Sequence, residues 1–213
     1  MRTYYNRIAG QSLERLAALS DGIFAVAMTL LVLDLHVPVS TISNHITTEH
    51  DLWNALVKLG PNLLPYLMSF LTLGIFWVGQ QTQLNFFKQS NRYLTWIHLA
   101  FLLAVTLMPF STGLLAAYID FRVALVVYWL NIVLLGVIIF VSWRYARHAQ
   151  LLKDEVTGEI FVANERRIVI AQSLYAFGAL LCIINTYISF GFIVLVQLNY
   201  AIAPRFGRLD HLW

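Results

Sequence analysis

The chain has 213 residues, of which 59% are apolar, 14% aromatic and 12% charged, with a formal net charge of +3. Soluble globular domains run at about 45–50% apolar and about 25% charged, so this chain has too little charge to coat a water-facing surface, and its mean hydropathy of +0.69 agrees. These values exclude a disordered chain, a collagen-like chain and a soluble α/β enzyme, and leave an integral membrane protein. The single cysteine, Cys182, excludes an intrachain disulfide and a cysteine metal cluster, and within its apolar run it reads as a small core residue. A pI near 9.1 reflects orientation signals before it suggests nucleic acid, because basic residues in a membrane protein first of all set its topology.

In chain order, residues 1–16 read as a cytoplasmic N-terminal segment, 17–203 as one transmembrane domain and 204–213 as a cytoplasmic tail. Apolar stretches fall at about 17–35, 61–82, 94–117, 123–143, 168–185 and 187–203, each near the length of a tilted helical span. The expected fold is therefore all-α with six transmembrane helices, the last two close enough to form a hairpin. The first stretch contains Asp21 and ends in Asp34, so it is a span rather than a cleaved signal peptide. With the N-terminus inside, Arg2, Arg7, Arg15, Lys88, Arg92, Arg144, Arg147, Lys153, Arg166, Arg167, Arg205 and Arg208 face the cytoplasm, against Lys58 and Arg122 outside. That asymmetry puts both termini in the cytoplasm. The outer loop from His36 to Lys58 predicts a short amphipathic helix near Asp51–Leu59, and Arg144 to Arg167 a cytoplasmic linker with a turn at Gly158.

The first span carries the informative polar residues. Asp21 lies more than a turn inside it, and an aspartate at the bilayer centre costs about 2.5–3.5 kcal/mol on insertion scales unless partnered. Arg15 precedes it by six residues, about 240° around a helix, so the two do not pair on one face. Span direction brings Trp77, Gln80 and Gln81 near the cytoplasmic end of span two, and His98 near the start of span three, to the depth of Ser20 and Asp21. An indole N–H, amides and an imidazole can satisfy a carboxylate and a hydroxyl, so this layer is expected to join helices, with a direct part in permeation or gating as the alternative. Further along, Val26, Leu30 and Leu33 form an apolar stripe bordered by Thr29. Periodicity alone assigns such a stripe to lipid or packed core before a pore, and a lone threonine in a span usually bonds its own helix.

Ser20-Asp21-Gly22-Ile23-Phe24-Ala25 followed by Thr29-Leu30-Leu31-Val32-Leu33 resembles the first helix of the transmembrane protein 175 family, which includes the endosomal and lysosomal potassium channel and bacterial relatives. The family pattern places an arginine ahead of Phe-Ser-Asp. Arg15 and Ser20-Asp21 match it, and Leu19 replaces the phenylalanine. Trp77 is kept in span two with Gln80 at a usual histidine position, and Met108-Pro109-Phe110-Ser111-Thr112 looks like the family's Leu-Pro-Phe-Ser/Thr segment. His98 stands where asparagine is common, while Tyr128, Asn131 and Trp143-Arg144-Tyr145-Ala146 are also similar.

The resemblance implies a homotetramer in the lipid bilayer with four first helices around a pore. It implies a constriction and hydrophobic gate at Val26, continued by Leu30 and Leu33, with Thr29 contributing ion selectivity. Arg15, Ser20, Asp21, Trp77, Gln80 and His98 then form a structural polar network. The implied function is a potassium-permeable, modestly selective cation channel in a bacterial cell membrane, with potassium as the permeant ion and no cofactor or metal. The chain has no Thr-Val-Gly-Tyr-Gly stretch for a carbonyl filter. A proton-coupled secondary transporter or a non-transporting membrane scaffold is the alternative. An enzyme is not expected, since His36, His45 and His50 lack metal spacing and no nucleophile–base pair stands out.

Overall fold

The computed structural model describes residues 12–35 and 46–202. The expectations resting on Arg2, Arg7, His36, His45, Arg205, Arg208 and the tail 204–213 lie outside the described residues.

The fold is all-helical. Helix α1, Leu13–Leu30, opens at Ser12, whose hydroxyl accepts from the Arg15 N–H, and continues as a 3-10 turn over Leu31–Asp34. The short helix α2, Glu49–Lys58, lies where the outer-loop helix is expected. It begins with a capping box in which Thr48 and Asp51 bond each other's backbone N–H. The Thr48 hydroxyl and nearby N–H groups hold the Asp51 carboxyl below its usual pKa, so the cap is intact at neutral pH and weakens as acid protonates it. Then follow α3 (Gly60–Phe86), α4 (Arg92–Thr106), α5 (Met108–Ala117), α6 (Arg122–His148), α7 (Gly158–Leu180, extended by Leu181–Ile183 as a 3-10 turn) and α8 (Thr186–Ile202).

Among the described residues, five stretches are long and apolar enough to cross a membrane: Leu13–Leu33, Gly60–Phe86, Arg92–Ala117, Arg122–His148 and Gly158–Ile183. The apolar helix α8 has 17 residues, about 26 Å at 1.5 Å per residue. The helices outrun several of the apolar stretches because their charged and aromatic ends extend past the hydrocarbon. Helix α6 reaches His148 and α7 starts at Gly158, so the expected linker from Arg144 to Arg167 is helical except for residues 149–157. Gly158 is accordingly the first residue of a helix capped by Thr157, whose hydroxyl accepts from the Ile160 N–H at 3.4 Å, and not a turn.

Helix α6 is central and packs on α3, α4, α5 and α7, while α1 lies against α3, α4 and α5. One apolar core gathers Phe24, Leu31, Met68, Leu73, Phe101 and Tyr128, and a smaller one at the other end holds Leu84, Phe87, Leu94, Trp143 and Phe161. Helices α7 and α8 form a close pair. A Cβ on Gly178 would approach Ile193 to 2.8 Å, and the Ser189 hydroxyl donates to the Gly178 carbonyl at 2.6 Å. Cys182 is buried and free.

The third apolar stretch is broken between α4 and α5. Pro109 has no N–H, and its ring displaces the carbonyl four residues earlier, so α4 ends at Thr106 and α5 starts at Met108. The backbone groups freed by the break are met from the neighbouring α6. With its amide nitrogen turned toward a carbonyl, where the reverse orientation would set oxygen against oxygen, Asn131 donates to Ala104 O at 3.1 Å. Its oxygen then accepts from Met108 N–H at 3.2 Å and from the Ser111 hydroxyl at 3.2 Å. The Thr112 hydroxyl adds a bond to Met108 O at 2.7 Å. Asn131 thus stands in for the bond Ala104 and Met108 would have made in a continuous helix.

Asn131→Leu, which strands both backbone groups, should lower stability by about 1–3 kcal/mol, read as a lower midpoint in thermal unfolding of the detergent-solubilised protein. An unchanged midpoint would show that the break is satisfied without Asn131.

Candidate pore helix and its polar anchor

Helix α1 turns two different faces outward from its axis. Leu16, Ser20, Phe24, Ala27 and Leu31 are buried, a spacing of four, four, three and four that keeps them on one side. Phe24 packs against Phe101 of α4 with ring centroids 6.1 Å apart. This face binds α1 to the bundle.

Ser20 lies fully buried within it. Its hydroxyl donates to Leu16 O at 2.9 Å and, with its one proton used there, accepts from Gln80 Nε2 at 2.9 Å and meets His98 Nε2 at 2.7 Å. His98 then carries its proton on Nε2, since the hydroxyl oxygen has none left to give. Gln80 and His98 are themselves buried, and Gln80 Oε1 has no hydrogen-bond partner among the described residues. One residue on, Asp21 points to α3, where a single carboxylate oxygen accepts from Trp77 Nε1 at 2.8 Å and from Gln81 Nε2 at 2.8 Å. The layer therefore splits in two: a buried half at Ser20, Gln80 and His98, and a more exposed half at Asp21, Trp77 and Gln81.

Arg15 stays outside both halves. Its side chain is exposed, and the bond it makes through the backbone is to the Ser12 hydroxyl. Eleven residues separate it from Val26, which returns a helix to within about 20° of the same direction. Arg15 consequently lines up with the apolar stripe instead of with Asp21.

The other face of α1 is uncovered. Val26 is 57% exposed, Leu30 43% and Leu33 66%. Thr29 lies between them, also exposed, with its hydroxyl donating to Val26 O at 2.8 Å. Asp21 is about 140° around the helix from Val26, so the carboxylate anchors the helix from a side the stripe does not share. The structure thus brings together Ser20, Asp21, Trp77, Gln80 and His98, and keeps Val26, Thr29, Leu30 and Leu33 apart from them on a free surface.

A third polar cluster was not read from the sequence. Thr72 of α3 donates to Met68 O at 2.8 Å, contacts the Tyr128 hydroxyl at 3.1 Å and accepts from Gln197 Nε2 of α8 at 2.7 Å. Gln197, a long amide that follows the apolar run 192–196 in α8, was the signal available for it, and the structure buries it fully.

Comparison with known proteins follows the same lines. Residues 15–109 match the family described as endosomal/lysosomal potassium channel TMEM175. A potassium channel of Streptomyces collinus is 36% identical over 105 residues, 49% of this chain, and the match spans about half of that relative, 48%. A potassium channel of Chamaesiphon minutus is 28% identical over 192 residues, covering 88% of this chain and 93% of the relative. The fold is similar to a crystal structure described as a lysosomal potassium-selective channel TMEM175 homolog from Chamaesiphon minutus, at a TM-score of 0.77 and 26% identity, over 90% of this chain and 97% of that one. By sequence over its first half and by fold over most of its length, the chain is similar to TMEM175 channels, and its long apolar helices are those of a multi-pass membrane protein.

Removing the carboxylate by Asp21→Ala leaves the Trp77 and Gln81 donors without their acceptor and should cost about 1–3 kcal/mol. Asp21→Asn, which keeps an acceptor oxygen, should cost less. Melting curves followed by circular dichroism in detergent separate the two, and equal midpoints for Asp21→Ala and the parent would refute the anchoring role.

Proposed function

We propose that this relative of the TMEM175 family is a potassium-permeable cation channel whose pore is lined by α1 from several copies of the chain, four by family likeness, in a bacterial cell membrane. The observation that carries the proposal is the division of α1: one side is fixed to α3 and α4 by Ser20 and Asp21, while Val26, Leu30 and Leu33 face outward uncovered. A helix held so firmly with an uncharged stripe left open has the form of a subunit that completes its wall with copies of itself. In this reading α8 is a sixth span beside the five long apolar stretches and both termini lie inside, an orientation that the distribution of arginine and lysine supports.

In this pore, Val26 side chains form an apolar ring that water must wet before an ion can cross, so the ring limits conduction by dewetting and by diameter. Potassium sheds hydration at such a ring more cheaply than sodium. Thr29 oxygens, one turn outward, replace part of the lost water. Selectivity arising this way is modest, because no cage of backbone carbonyls surrounds the ion. Ser20 and Asp21 hold the helix at its depth and rotation without touching the ion. Arg15, aligned with the stripe at the cytoplasmic end, stands at the inner mouth.

Val26→Ser should raise the current severalfold and reduce the preference for potassium over sodium in planar-bilayer recordings under bi-ionic conditions. Unchanged current and selectivity would remove Val26 from the conduction path. Saturable, proton-driven uptake into liposomes in place of ohmic current would favour a transporter, and no flux at all a scaffold.

A further inference from the structure

The segment joining α6 to α7 is held by specific backbone bonds. Leu151 N–H donates to Ala146 O at 2.8 Å and Gln150 N–H to Arg147 O at 3.1 Å, with Gln150 in the left-handed region at φ 57°. This is the Schellman closure of a helix C-terminus, built with glutamine in the place glycine usually takes. The chain then runs antiparallel to the end of α3: Lys88 N–H donates to Leu151 O at 2.9 Å and Lys153 N–H to Phe86 O at 2.9 Å, about a bridge between Phe87 and Leu152.

These bonds gather cations. Lys88, just past α3, and Arg147 and Lys153, on either side of the turn that ends α6, line one cavity of about 230 Å³ that opens at this end of the bundle. Arg147 is held in place by aromatic stacking: its guanidinium lies 4.1 Å from the Phe161 ring centre, and Phe161 stacks on Trp143 at 5.3 Å and 12°. Trp143 is fully buried and donates from Nε1 to Phe161 O at 3.2 Å. Stacking occupies a face of the guanidinium and leaves its N–H edge for an acceptor in its plane. The start of α7 borders the same cavity at Thr157 and Gly158, and the first N–H groups of a helix have no partner within it. Asp154 is the one carboxylate in the lining. Among the described residues no ion pair involves Lys88, Arg147 or Lys153; the one present joins Arg144 to Glu165 at 3.5 Å.

We propose that this cavity binds a phosphate-bearing anion, either the headgroup of an anionic phospholipid or a free phosphate compound. A general excess of basic residues on the inner side accounts for their presence there. It does not account for backbone bonds and an aromatic stack that bring three of them round one cavity, where like charges repel until an anion enters. The donor set suits phosphate, with a planar fork from Arg147, two flexible ammonium groups and helix N–H groups. The site's placement in the cytoplasm rests on the orientation proposed above, whereas anion binding itself does not depend on ion conduction.

The test is calorimetric titration of the full chain in uncharged detergent, in one arm with short-chain phosphatidylglycerol and in the other with inorganic phosphate. Saturable binding in both arms shows that the phosphate group suffices, and binding of the lipid alone assigns the site to a headgroup; either supports the proposal. The double variant Lys88→Gln, Lys153→Gln should lose affinity by about tenfold or more, equivalent to at least about 1.4 kcal/mol. Arg144→Gln, an exposed cation that does not line the cavity, should bind as the parent does. Single Lys88→Gln and Lys153→Gln variants, each at an exposed side chain, serve if the double variant does not fold. No saturable binding in either arm, parental affinity in the lysine variants, or an equal loss in Arg144→Gln would overturn the proposal.

Discussion

A carboxylate set below the membrane surface has to be met by donors, and the bond pair from Trp77 and Gln81 to Asp21 is the constraint from which the arrangement of α1 follows. Because both donors come from α3, they fix the rotation of α1 as well as its depth. Ser20, one residue earlier and about 100° away on the helix, adds a second direction of attachment through His98 of α4 and Gln80 of α3. Two attachments at an angle leave a helix no freedom to roll. The face carrying Val26, Leu30 and Leu33 is therefore outward because the opposite side is committed, and its exposure is a consequence of the polar layer.

The same economy of polar groups recurs where the helices are interrupted. Every interruption in a low-dielectric medium frees backbone donors and acceptors that must be recovered. Between α4 and α5 a side chain from another helix recovers them, Asn131 bridging Ala104 and Met108. At the end of α6 the chain recovers its own through the Gln150–Leu151 turn and then lends its next residues to α3. Between α7 and α8 Asn185 does so, its side-chain oxygen accepting from the N–H groups of Tyr187 and Ile188. Polar residues in this chain are few, and most of the buried ones are assigned to such repairs or to joining helices.

How much of this could be read in advance depended on the physics involved. The apolar stretches were visible because a bilayer demands about 20 apolar residues per helix. Trp77, Gln80, Gln81 and His98 were found as partners of Ser20 and Asp21 because span direction fixes depth, and depth narrows the choice to a few residues. Arg15 was harder: the motif it resembles groups it with Ser20 and Asp21, but helical phase sets it on another side. Helix ends were misjudged at Arg144–Arg167, where hydropathy registers only the membrane-embedded part of helices that continue into water. The service of Asn131 to a break in a different helix, and the stack of Arg147 on Phe161 and Trp143, depend on tertiary docking and leave no local pattern in the chain.

The hydroxyl of Thr29 gives its proton to Val26 O, within its own helix. A hydroxyl whose hydrogen is spent inward can offer only lone pairs outward. A ring of such threonines would behave as a belt of acceptors with no donors, attractive to a positive ion and indifferent to a negative one. The sign of the permeant charge could then be set by the direction of one internal hydrogen bond repeated around an axis, in a stretch of helix that carries no charged side chain.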